Sequence, residues 1–123
     1  MRIITTEKMP VSNGHYSQVI EHLGILYLSG QLPIDPKTRF IPKTIEEQTK
    51  LVLSKIELLL REAGSSKNKV LQMRVYLTDI SLWNHVNEVY SNFFMDHKPV
   101  RCIVPAGELH YGCMIEIEAT AFI

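Results

Sequence analysis

The sequence predicts an α+β fold in which two helices pack on one face of a β-sheet. Three observations predict it. Two stretches, 44–64 and 81–97, carry apolar residues at helical spacing. Other stretches alternate apolar and polar residues, as half-buried strands do. The resulting order, β, β, α, β, α, β, β, mixes strands with only two helices of this length, which suits helices laid on one face of a sheet.

The elements follow in order. A first strand near residues 2–5 is weakly marked, and a hairpin near the start is compatible with the pattern. Ile25 to Leu32 reads as β-rich, punctuated by Gly24 and Gly30, with Pro33, Asp35 and Pro36 marking the turn after it. The first helix has Thr44 at its N-cap and Glu47 three residues later, a capping box. Ile45, Val52, Ile56, Leu59 and Ala63 form its stripe, with Gln48 and Thr49 on or beside it. Gly64 suits the position just past its end. In "KVLQMRVYLTD", Leu71, Met73, Val75 and Leu77 alternate with Gln72, Arg74, Tyr76 and Thr78. The second helix is capped by Ser81, with Leu82, Val86, Val89 and Phe93 as its stripe. Residues 101–104 form a short strand and 114–122 the last. In the closing segment "CMIEIEATAFI", Ile115, Ile117, Ala119, Ala121 and Ile123 share a core face. Glu116, Glu118, Thr120 and Phe122 share the other, with the two carboxylates about 7 Å apart.

The chain of 123 residues suggests one domain, 1–123, with no linker or repeat. Lys plus Arg and Asp plus Glu each number 13, so the formal net charge is zero. That balance weighs against nucleic acid as a partner and leaves little self-repulsion to oppose self-association. Two cysteines, Cys102 and Cys113, are too few for a disulfide framework. No signal-peptide core and no run of the roughly 20 apolar residues that a membrane span needs is seen, so a cytoplasmic setting without membrane contact is expected.

Few residues carry chemistry by spacing alone. No phosphate loop, His-x-x-x-His or Cys-x-x-Cys is present. Cys102, His110 and Cys113 invite zinc but lack an evident fourth ligand, so no metal is expected. Arg101 is more informative. It enters a core strand after "HKPV", where an arginine is costly unless paired. It either closes a salt bridge, to Glu116 or Glu118, or offers a guanidinium fork to a ligand carboxylate.

Seven segments in order, "GHYSQ", "LYLSGQLPIDPKT", "QTKLVLSKIELLLREAG", "VYLTD", "VNEVYSNFF", "KPVRCIV" and "IEIEATA", span nearly the whole chain. In them the sequence resembles the YjgF-type, or reactive intermediate deaminase (Rid), family. The resemblance implies a chorismate-mutase-like fold, two helices on a mixed sheet, in a homotrimer with a barrel-like centre and clefts between subunits. It implies hydrolysis of 2-imino acids or their enamine tautomers, of the 2-aminoacrylate and 2-iminobutanoate type, to 2-oxo acids and ammonia, with no cofactor. By motif, Arg101 matches the arginine that binds the substrate carboxylate, and Glu116 the residue that positions water. Tyr16 and Asn87 match cleft residues, and Gly30 and Ile103 match positions whose backbone contacts ligands. Burial of Glu116 near Arg101 would keep the glutamate ionised, and Glu118 is expected to be mainly structural. Three places depart from the family pattern. His15 stands for the proline of "GPYSQ", "RCIV" stands for "RSCV" and shifts Cys102 by one, and His110–Tyr111 replaces the "LPK" turn. The rival reading is a non-catalytic trimeric module that binds small carboxylates, for which Glu116 would be unnecessary. A nuclease reading conflicts with zero net charge and the lack of an aromatic–basic stripe.

Overall fold

The structure, a computed structural model, describes residues 1–123. The chain opens with three strands, β1 (Arg2–Ile4), β2 (Val19–His22) and β3 (Ile25–Gln31). The hairpin lies between β2 and β3, where Leu23 and Gly24 both take positive φ, 53° and 82°. Helix α1 (Ile45–Glu62), β4 (Val70–Leu77), α2 (Trp83–Phe94), β5 (Val100–Pro105) and β6 (Ile115–Phe122) follow.

One six-stranded sheet has the order β1-β2-β3-β6-β4-β5. Its pairings are antiparallel except β4 with β5, so the sheet is mixed. The parallel pair needs a crossover, and α2 supplies it. Both helices lie on one side. A cluster of 23 buried residues joins α1 and α2 to the sheet through Met73, Val75, Leu77, Ile115, Ile117 and their neighbours.

Local chemistry sets the boundaries. Thr44 Oγ1 accepts from the Glu47 amide at 3.2 Å, which caps α1. Gln48 and Thr49 are buried with the stripe, because each has a partner. Thr49 donates to the Ile45 carbonyl, while Gln48 donates to Pro42 O and accepts from the Met114 amide. Ser81 does not cap α2. Asp79 accepts from the Ser81 amide and starts a short 3₁₀ turn (Ile80–Leu82), and α2 begins one residue later. Leu71 also differs from expectation. A register shift in β4 between Val70 and Gln72 buries Val70 and leaves Leu71 exposed. Ile123 lies beyond the end of β6 and is exposed, unlike the four other residues of its predicted face.

The second face of the sheet has no helix over it. Ile3, Tyr27, Val100, Val104 and Phe122 are all exposed there, Val100 by 65% and Ile3 by 56%. Glu116, Glu118, Arg74 and Tyr76 project from the same face.

Candidate functional site

Strand parity assigns the two principal site residues to opposite faces. Arg101 pairs with Met73, which is fully buried beneath the helices, so Arg101 points to the helix side. Glu116 pairs with Tyr76, which has the opposite parity on β4, so Glu116 points to the open side. Within one chain they do not meet.

The stripe of α2 facing β5 explains how Arg101 is held. Trp83, Asn87 and Tyr90 recur at intervals of four and three residues and therefore share one side of the helix. Asn87 Oδ1 accepts from the Arg101 guanidinium at 3.0 Å. The guanidinium carbon lies 4.7 Å from the Tyr90 ring centre and 5.5 Å from that of Trp83, within cation–π range. Arg101 takes part in none of the chain's five ion pairs. The salt bridge to Glu116 or Glu118 is therefore absent. Ile103, two residues on, faces the same way and packs on the edge of the core. The Tyr90 hydroxyl is buried without a partner, and its pKa is pushed up to about 12 by burial, against the pull of Arg101.

Glu116 lies in a different place, a cleft of about 690 Å³. Tyr16 and Gly30 line it with Glu116, as do His110 and Tyr111 from the turn before β6. His15 does not. Tyr111 and Gly112 adopt positive φ, 60° and 71°, and this tight 3₁₀ turn carries the His110 and Tyr111 side chains to the cleft mouth. Gly30 is needed for space. A Cβ there would overlap the Glu116 carboxylate, meeting Oε2 inside contact distance. Gln48, through its bond to the Met114 amide, holds the chain two residues before Glu116.

The expectation that Arg101 keeps Glu116 ionised is corrected by this geometry. With Arg101 across the sheet, burial dominates and raises the Glu116 pKa. His110 opposes that rise and Glu118 adds to it. Glu118 itself accepts from the Tyr76 hydroxyl at 2.6 Å, a bond that ties β6 to β4. Tyr76 titrates above its ordinary value chiefly for that reason. Cys102 is exposed on the open face and Cys113 is buried, and no three His, Cys, Asp or Glu side chains gather into a metal-holding group.

Lys55 was not singled out by sequence. It is 7% exposed, yet it lines the Glu116 cleft. The only signal was a lysine one residue before Ile56 of the α1 core stripe, a position that usually reads as a solvated flank.

Two features thus define a class: a cleft with a partly desolvated carboxylate, and an arginine fork on the other face. Comparison with known proteins then places the chain. The family described as endoribonuclease L-PSP matches residues 6–123. A RutC family protein of Pyrococcus abyssi is 44% identical over 121 residues, covering 98% of this chain and 95% of the relative. The provisionally named reactive intermediate deaminase TdcF of Escherichia coli K12 is 33% identical over 123 residues, covering 98% of this chain and 95% of the relative. A crystal structure of E. coli TdcF with bound serine matches with a TM-score of 0.94 at 32% identity, over 100% of this chain and 99% of that one. The chain belongs to the endoribonuclease L-PSP family, the group of YjgF/Rid proteins. No helix is long and apolar enough to cross a membrane.

Proposed function

We propose that the protein hydrolyses small 2-imino acids and their enamine tautomers, of the 2-aminoacrylate and 2-iminobutanoate type, to 2-oxo acids and ammonia. It does so in clefts between copies of a homotrimer, without a cofactor. The observation that carries this reading is the Arg101 fork: oriented by Asn87, backed by two aromatic rings, and paired with no carboxylate of its own chain. A guanidinium held this way is prepared for a bidentate carboxylate. The relative crystallised with serine supports a small amino carboxylate as the ligand type.

A second copy reconciles the two faces. The uncovered apolar side chains of the open face give it a reason to associate. Association then sets Arg101 of one copy against the Glu116 cleft of another. The substrate carboxylate binds Arg101, which orients the imine carbon toward Glu116. Glu116 takes a proton from water as the oxygen attacks that carbon, forming a carbinolamine. The imine nitrogen reacts in its protonated form, so this carbinolamine is neutral. Glu116 returns its proton to the nitrogen, and as the C–N bond breaks the hydroxyl proton passes to Glu116, releasing ammonia and leaving the 2-oxo acid. Because the imine carbon is already electrophilic, orientation and one general base suffice, the base contributing typically about 10²–10⁴-fold.

The test couples a purified pyridoxal-phosphate dehydratase to the protein and follows decay of the imine made from serine or threonine. Faster decay with the protein supports the reading. Unchanged decay, with 2-oxobutanoate still bound, transfers it to a non-catalytic carboxylate-binding module.

A further inference from the structure

Lys55 is the only buried charged residue of the chain, and neither its partner nor its surroundings neutralise it. Nζ donates to the Leu32 carbonyl at 2.8 Å. An ammonium has three donors, so that bond leaves two unused. Lys55 joins none of the five ion pairs. Asp35, the one carboxylate acting on it, is turned into its own loop, where Oδ1 accepts from the amides of Lys37 and Thr38 at 2.8 and 2.9 Å. A tether to one carbonyl needs only a neutral donor, which an amide side chain would supply without burying a charge.

The cleft also has polarity. Besides His110, its lining holds two basic residues, Lys55 and Arg39, and one carboxylate, Glu116. They occupy different parts of it. The Glu116 carboxylate lies against Gly30, whereas Lys55 Nζ is bonded to the carbonyl of Leu32, two residues further along the chain. Burial, followed by repulsion from Arg39, lowers the Lys55 pKa to about 8, while Cys113 and Asp35 oppose the fall. Two cations that line the same open volume and repel each other are stabilised by an anion bound between them. At about 690 Å³ the cleft has more room than a four-carbon acid fills.

We propose that Lys55 and Arg39 form a distal anion subsite that takes the second carboxylate of a dicarboxylic 2-imino or 2-oxo acid. This rests on the reading above, in which the first carboxylate binds Arg101 of another copy. The subsite makes the enzyme selective for dicarboxylic over monocarboxylic substrates. It also has a signature that a tether lacks: an anion bound beside Lys55 raises its proton affinity, so binding near pH 8 takes up protons.

Calorimetric titration with 2-oxoglutarate and with 2-oxobutanoate, at pH 8 in two buffers of different ionisation heat, tests this. The unmodified protein is expected to prefer 2-oxoglutarate and to take up protons with it but not with 2-oxobutanoate. Lys55→Gln, which keeps a donor for Leu32, is expected to lose the uptake and to lower the preference roughly tenfold, the effect of one hydrogen bond to a charged group. Arg39→Asn provides a second variant at an exposed position whose φ of 66° asparagine tolerates. It should lower the preference by roughly threefold, the share of a more exposed charge. An unchanged preference and uptake in both variants overturns the subsite alone. Failure of the unmodified protein to bind 2-oxobutanoate refutes the proposed function, and the subsite with it.

Discussion

Gly30→Ala separates the fold from the chemistry. A methyl at this position would overlap Glu116 Oε2 and lie 3.2 Å from the carboxyl carbon and 3.4 Å from Cγ, where ordinary contact begins at 3.4 Å. Only the far end of one side chain is in the way. Gly30 also lies outside the left-handed φ region, so its backbone accommodates alanine. The fold should therefore survive, and restriction of the unfolded chain offsets strain by roughly 0.4–1 kcal/mol. The carboxylate, however, must swing away by about 1 Å, and a reacting group displaced that far costs on the order of 10²-fold. Thermal melts and imine-decay kinetics on the same preparation give both quantities. The expected result is a Tm close to that of the unmodified protein with kcat/KM down by about 10²-fold. A folded Gly30→Ala protein with unimpaired turnover would refute the reasoning, because the position of the Glu116 carboxylate would then be irrelevant to the reaction.

Other outcomes follow from the same geometry. Arg101→Ala should abolish most of kcat/KM, and Arg101→Lys should fall between, since it keeps the charge and loses the planar fork; steady-state kinetics on the imine checks the order. Glu116→Gln should still bind 2-oxobutanoate while kcat falls by roughly 10²-fold or more. Glu118→Gln should leave kcat nearly intact and lower stability by about 1 kcal/mol, because Tyr76 keeps an acceptor but loses a charge-assisted bond. The raised Glu116 pKa predicts that activity is lost on the acid side with a midpoint above the ordinary 4.5. Linkage gives the matching stability effect. A carboxyl whose folded pKa is raised contributes stability below its unfolded pKa and loses that contribution as pH rises through the folded pKa. Glu116→Gln should thus melt higher than the unmodified protein at pH 7 and lack that acid-side step.

Most of the architecture was legible because it depends on local pattern. The strict alternation of "IEIEATA" gave β6 and both of its faces, and the capping box at Thr44 gave the start of α1. Where one residue of slippage decided the outcome, pattern failed. The register shift at Val70 reversed the side of Leu71, and Asp79, a better-placed acceptor, took the role assigned to Ser81. The site divides in the same way. Arg101 was conspicuous as a charge in an apolar strand, and Asn87 was named with it. That they share one face of the sheet, with Glu116 on the other, depends on the β4–β5 register, which no spacing within a single segment encodes. Lys55 escaped notice because its place in the fold is set by the Leu32 carbonyl, 23 residues earlier, a contact between segments far apart in sequence.

The central claim is that each site takes Arg101 from one copy and Glu116 from another, and subunit mixing tests it most directly. Arg101→Ala and Glu116→Gln proteins, each inactive alone, would be unfolded together in equal amounts and refolded. In a closed ring of shared sites, about a quarter of the sites would then join an unmodified Arg101 to an unmodified Glu116. The account predicts recovery of about a quarter of the unmodified imine-hydrolysing activity, with refolded single variants still inactive. If mixed assemblies form and no activity returns, the two residues do not act across a subunit boundary, and the shared site is wrong.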